Sequence, residues 1–122
     1  MNQYHQDLRL RCRTFASEII TMCGMMSEKP GTRDIASQII RSAASIGANI
    51  VEARGSGSRL EFARFFRIAL KSANETKYWL ELIQDVGLAP SIRLVPMQEE
   101  ARQIANMLGA AVLKLNAKSG KS

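Results

Sequence analysis

Chemistry in this chain would have to come from few residues. His5 is the one histidine, and Cys12 and Cys23 are the two cysteines. A serine or thiol nucleophile needs a base within hydrogen-bond reach, and His5 would have to serve alone. A di-iron helix bundle needs paired Glu-x-x-His on facing helices, which one histidine cannot supply. The stretch from Glu52 to Phe62, EARGSGSRLEF, raises another possibility, a loop that cradles phosphate. A dinucleotide fingerprint needs a third glycine and a preceding strand, and a phosphate loop needs Gly-Lys-Ser/Thr after a strand. Neither pattern is complete, and helical periodicity precedes the stretch. These residues point to a non-enzyme with no cofactor and no metal.

Binding chemistry is better represented. Arg64, Arg67 and Lys71 fall within one narrow sector of a predicted helix, with Tyr78 further along it. A positive stripe with an aromatic beside it suits a phosphate backbone and a stacked base. The alternative is a solvated helix face, partly neutralised by Glu75 four residues after Lys71. A second polar stripe, Gln38, Arg41, Ser45, Asn49 and Glu52, lies on the preceding helix. Asn49 and Glu52 come near the start of the next helix and could bond Arg59, Arg64 or loop amides, which would pin the two helices together.

Four helical segments must position these groups. The first reads from about Tyr4 to Met26, with Leu8, Phe15, Ile19, Met22 and Met26 at helical spacing. Thr32 is placed to cap the second, whose apolar face is Ile35, Ile39, Ala43, Ile46 and Ile50. Ser58 and Glu61 then fit a capping box, in which the Ser58 hydroxyl accepts from the Glu61 amide and the Glu61 carboxylate reaches back to Ser58. The glycine-serine stretch is therefore a helix-hairpin turn, with Gly55 supplying a left-handed residue and the flanking helices antiparallel. The third helix reads from about Arg59 to Val86, closed by Gly87. Pro96 is tolerated in a first turn but not in a helix interior, so the fourth helix is expected to begin near it, with Ser91 to Leu94 at most a separate short turn. Ala117 to Ser122 reads as a basic, disordered tail after a single domain spanning residues 1–116.

Composition agrees with one helical core. The 122 residues are 46% hydrophobic and contain only eight glycines and three prolines. Seventeen Lys and Arg against eleven Asp and Glu leave a formal charge of +6, which favours an anionic partner. No run approaches the ~18 apolar residues of a membrane helix, and the early arginines exclude a signal peptide, so a soluble, cytoplasmic protein is expected. Eleven residues along one helix place Cys12 and Cys23 roughly 16 Å apart, too far for a disulfide. The third helix carries more apolar surface than one core requires. Phe62, Phe66, Ala69, Ala73, Leu80 and Ile83 form one face that Phe65, Ile68, Trp79 and Val86 widen to an arc of ~200°. Part of that arc is expected to meet another subunit, the alternative being burial of Trp79 under the first or fourth helix.

The segment from Ser42 to Ile83 resembles the signature of the four-helix-bundle family named after proteins encoded in intervening sequences of 23S rRNA genes. The matching residues are Ser45-Ile46, Asn49-Ile50, Glu52, Gly55, Ser58, Glu61-Phe62, Phe65, Ile68-Ala69, Ser72 and Glu75. Where the family usually writes Ala-Glu-Gly before the turn, this chain has Glu52-Ala53-Arg54-Gly55, a departure that bears on the turn geometry. The resemblance implies an all-α fold, an up-down-up-down bundle that assembles into a ring-like homopentamer with a central channel. The family is also similar to accessory proteins of diversity-generating retroelements, basic pentamers that bind a reverse transcriptase and nucleic acid. The implied function is a non-enzymatic accessory protein that binds RNA or DNA. The rival reading is a pentameric adaptor that binds another protein and whose charge is incidental.

Overall fold

Apolar residues recur at helical spacing along almost the whole chain, and a computed structural model, described over residues 3–120, turns that periodicity into four helices. They are α1 (Gln3–Cys23), α2 (Thr32–Arg54), α3 (Arg59–Val86) and α4 (Ser91–Gly120). Among the described residues there is no strand. Each helix packs on its neighbours in sequence and α4 closes back on α1, while among the described residues the backbones of α1 and α3, and of α2 and α4, stand apart across the core. One core fills the centre, built from Leu8, Phe15 and Ile19 of α1, Ile39, Ile46 and Ile50 of α2, Phe66, Leu80 and Ile83 of α3, and Leu94, Ile104 and Leu108 of α4. Burying a side chain of this size is worth about 1.5–3 kcal/mol, so this shared interior, rather than helix propensity, fixes the arrangement.

The hairpin of α2 and α3 forms as the spacing predicts. Ser58 is the N-cap of α3 and its hydroxyl accepts from the Glu61 amide at 3.1 Å. Gly87 closes the helix in the left-handed region at φ 77°. The return half of the capping box, from Glu61 to the Ser58 amide, is absent among the described hydrogen bonds.

Three boundaries differ from expectation. Gly55 sits at φ −91° and not in the left-handed region. The end of α2 is closed instead by the Gly55 and Ser56 amides, which bond the Glu52 and Ala53 carbonyls, and by the Ser56 hydroxyl, 2.6 Å from the Ala53 carbonyl. Thr32 is the first residue of α2 and not its cap; that position falls to Gly31 at φ 88°. Its buried hydroxyl turns back into the α1–α2 loop, donating to the Ser27 carbonyl and accepting from the Lys29 amide. The same loop is tied to the far turn, because the Ser27 amide donates to the Leu88 carbonyl at 3.0 Å.

The third difference is α4, which begins at Ser91 and carries Pro96 inside it. Proline removes one amide and so leaves the Ile92 carbonyl without its helical donor. Ile92 is 83% exposed, so water can take that carbonyl, whereas Leu94 is fully buried and holds the first turn against the core. Core burial two residues before the proline outweighs one solvated carbonyl. The basic tail expected from residue 117 falls partly on α4, which runs on to Gly120; Lys121 and Ser122 lie outside the described residues.

Candidate functional site

The outer surface of α3 follows directly from its buried one. Ala63, Phe66, Ala69, Ala73, Leu80 and Ile83 face inward, so residues about two positions out of phase with them, roughly 200° round the helix, face solvent. Arg64, Arg67, Lys71 and Tyr78 are all exposed there and share one sector. The Arg64 guanidinium lies 5.0 Å from the centre of the Phe65 ring, and the Arg67 Nη1 donates to Asn116 Oδ1 of α4 at 3.3 Å. Both contacts leave the cations accessible, and they orient the two side chains over neighbouring surface. Arg59 and Lys114 are also exposed and lie toward the same end of the bundle.

Tyr78 stands apart from the three cations. It is two turns beyond Lys71, about 10 Å along the axis. Its ring meets Trp79 edge-on at 5.1 Å, and the Trp79 indole donates to Glu75 Oε2 at 3.0 Å. The charges around Tyr78 are therefore carboxylates: Glu75, Glu81 and Asp85. Of the residues expected to widen the apolar arc, Phe65 and Trp79 are half-buried while Ile68 and Val86 remain exposed.

The polar stripe on α2 pins the hairpin, though through different partners. Asn49 does not reach Arg59 or Arg64; its Nδ2 donates to the Ser45 carbonyl at 2.9 Å and to the Ser45 hydroxyl at 3.0 Å. Glu52 is exposed beside the turn. The link across to α3 is made by hydroxyls, with Ser45 2.9 Å from Ser72 and Ser42 2.8 Å from Thr76. Thr76 Oγ1 also lies 2.8 Å from the Ser72 carbonyl. The Ser42 hydroxyl lies 3.2 Å from the Ile39 carbonyl as well, and since each hydroxyl carries one proton, the Ser42–Thr76 bond shares its proton with a backbone carbonyl on one helix or the other. The paired numbers rise on α2 as they fall on α3, which makes the two helices antiparallel.

Other polar groups are committed elsewhere. Arg11 makes a two-point contact with the Glu100 carboxylate, Nη2–Oε1 2.6 Å and Nε–Oε2 3.0 Å, and joins α1 to α4. Glu99 on the exposed side of α4 is held near a pKa of about 2, chiefly by hydrogen bonds from Arg102 and Gln103. Burial pushes the Cys12 thiol up to about 12 and the Cys23 thiol up to about 11. Both stay protonated at neutral pH, which removes them as nucleophiles. Among the described residues no group of three His, Cys, Asp or Glu side chains could hold a metal ion, and no helix is long and apolar enough to cross a membrane.

A family model described as "23S rRNA-intervening sequence protein" matches residues 6–110. The fold is similar to the crystal structure of a protein of unknown function from the S23 ribosomal protein family of Bacteroides thetaiotaomicron. The two are 29% identical, the match covers 88% of this chain and 96% of that one, and the TM-score is 0.78. Among curated proteins none matches the chain.

Proposed function

The chain belongs to the 23S rRNA-intervening sequence protein family, and on that premise we propose that it is a non-enzymatic, oligomeric accessory protein that binds RNA or DNA. The observation that carries the reading is the exposed cluster of Arg64, Arg67 and Lys71 on one sector of α3. Three cations are too few for tight binding at physiological salt. In an up-down-up-down bundle repeated around a ring-like homopentamer, the cluster recurs and a long polyanion engages several copies at once. Tyr78 sits among carboxylates and is left out of this surface. A reverse transcriptase is the protein partner to test first, by co-purification, because of the resemblance to retroelement accessory proteins.

Fluorescence anisotropy with labelled single-stranded RNA and DNA at two salt concentrations tests the reading. Affinity should fall steeply with salt, and replacing all three cations by glutamine should weaken binding several-fold and flatten the salt slope. Light scattering on a sizing column should return an oligomer mass at tens of micromolar. The adaptor reading gains support from the exposed apolar residues Ile68, Tyr78 and Val86 on the same helix. An oligomer that binds neither nucleic acid at low salt would decide for it.

A further inference from the structure

A groove runs along the outside of the bundle between α1 and α2. It encloses about 390 Å³ and is lined mainly by the apolar side chains of Ala16, Ile20, Ala44, Ala48 and Val51. Gly47 and Cys12 meet at its floor, where a Cβ added at Gly47 would stand in ordinary van der Waals contact, 3.5 Å from Cys12 Cβ. Its walls are open, with Ile20 and Val51 each about half exposed. Arg9 and Arg13 line one end. The Nε atom of Arg9 is buried and has no hydrogen-bond partner among the described residues. The Arg9 and Arg13 guanidinium groups make that end of the groove cationic, and a carboxylate arriving there would form charge-assisted hydrogen bonds with their outer nitrogens.

The same chain carries a surface of matching chemistry. The second half of α3 exposes Tyr78 and Val86, with the carboxylates of Glu81 and Asp85 on the solvent side beside them. Tyr78 to Val86 spans about 12 Å of helix, and Arg9 to Ile20 about 16 Å, so the edge fits within the groove's length. We propose that the acidic, apolar edge of α3 in one copy of this chain seats in the α1–α2 groove of the next copy, with Val86 and Tyr78 on the apolar lining and Glu81 and Asp85 at Arg9 and Arg13.

This rests on the oligomeric part of the reading above and says which surfaces make the oligomer. Groove and edge are different patches, so the contact is head-to-tail, the kind that closes into a ring when the rotation allows. Chains of net charge +6 repel one another, and pairing two cations with two carboxylates at each contact offsets that repulsion where the copies meet.

Charge swapping tests the proposal. The double variant R9E/R13E and the double variant E81R/D85R should each run at monomer mass by light scattering, at concentrations where the parent is assembled. The fourfold variant, which restores opposite charges at every contact, should recover the parent mass. Circular dichroism melts of all four proteins identify any variant that has simply failed to fold. A monomeric parent would overturn this proposal together with the oligomeric reading. An assembled parent whose folded double variants keep its mass, or a folded fourfold variant that stays dissociated, would overturn this proposal alone.

Discussion

The two halves of α3 share one helix and one core yet present opposite surfaces. From Arg59 to Ser72 the helix carries Arg59, Arg64, Arg67 and Lys71 against Glu61; from Ala73 to Val86 it carries Glu75, Glu81 and Asp85 against Lys77. The polarity does not serve the helix itself. The peptide dipoles favour anions at the N-terminus and cations at the C-terminus, and Arg59 in the first turn and Asp85 in the last have the opposite signs. Inside, the halves are alike, with Phe66 and Ala69 buried in one and Leu80 and Ile83 in the other. A continuous core fixes the helix, and its outer side is then free to be divided between two tasks.

The largest expected effects are those that should not distinguish the halves. Phe66→Ala should cost about 3–5 kcal/mol and Leu80→Ala about 2–5 kcal/mol in denaturant melts, since both side chains are fully buried. A loss confined to one of them would mean that the core is not continuous along α3. The next effect should separate the halves sharply. Replacing Arg64, Arg67 and Lys71 by glutamine should weaken nucleic-acid binding by about tenfold, or about 1.4 kcal/mol, whereas Glu75→Gln, on the acidic half but outside the proposed contact between copies, should leave it unchanged or tighten it. Equal losses in both variants would erase the contrast. Ser58→Ala removes the cap of the basic half and should cost about 1 kcal/mol by the same melts, with no change in oligomer mass. Smallest is Asp85→Asn, which removes an anion from the wrong end of the dipole and should stabilise the dissociated protomer by about 0.3–1 kcal/mol in melts at low concentration. A destabilised variant would mean that Asp85 has a favourable partner within the protomer.

Much of this was legible in the sequence where a local rule meets no competitor. The Ser58 cap and the Gly87 terminus depend on backbone geometry within a turn or two, and both form as read. The outward sector of Arg64, Arg67 and Lys71 follows from the phase of Phe66 and Ala69 alone. Reading failed where a tertiary contact competes with the local rule. Pro96 reads as a helix start, but Leu94 is anchored in the core two residues earlier and carries the helix through it. Thr32 reads as a cap, but its hydroxyl has two better-placed partners in the preceding loop. Gly55 reads as left-handed, but the Ser56 hydroxyl supplies the donor that such a turn would have provided. Partners distant in sequence, such as Arg11 and Glu100 or Ser42 and Thr76, have no local signature at all.

The hydroxyl pairs between α2 and α3 also bear on how the hairpin responds to load. An apolar seam alone can slide, since one small aliphatic side chain replaces another at similar energy. Ser42 with Thr76 and Ser45 with Ser72 form two latches one turn apart, and a shift of one helical turn, about 5.4 Å, breaks both pairs and can re-form only one, Ser45 opposite Thr76 or Ser42 opposite Ser72, leaving the other two hydroxyls unmatched. Alignment along this seam is therefore stepwise and not continuous. A load applied to the basic half of α3 is passed to α2 as well, and the pair moves as a single strut.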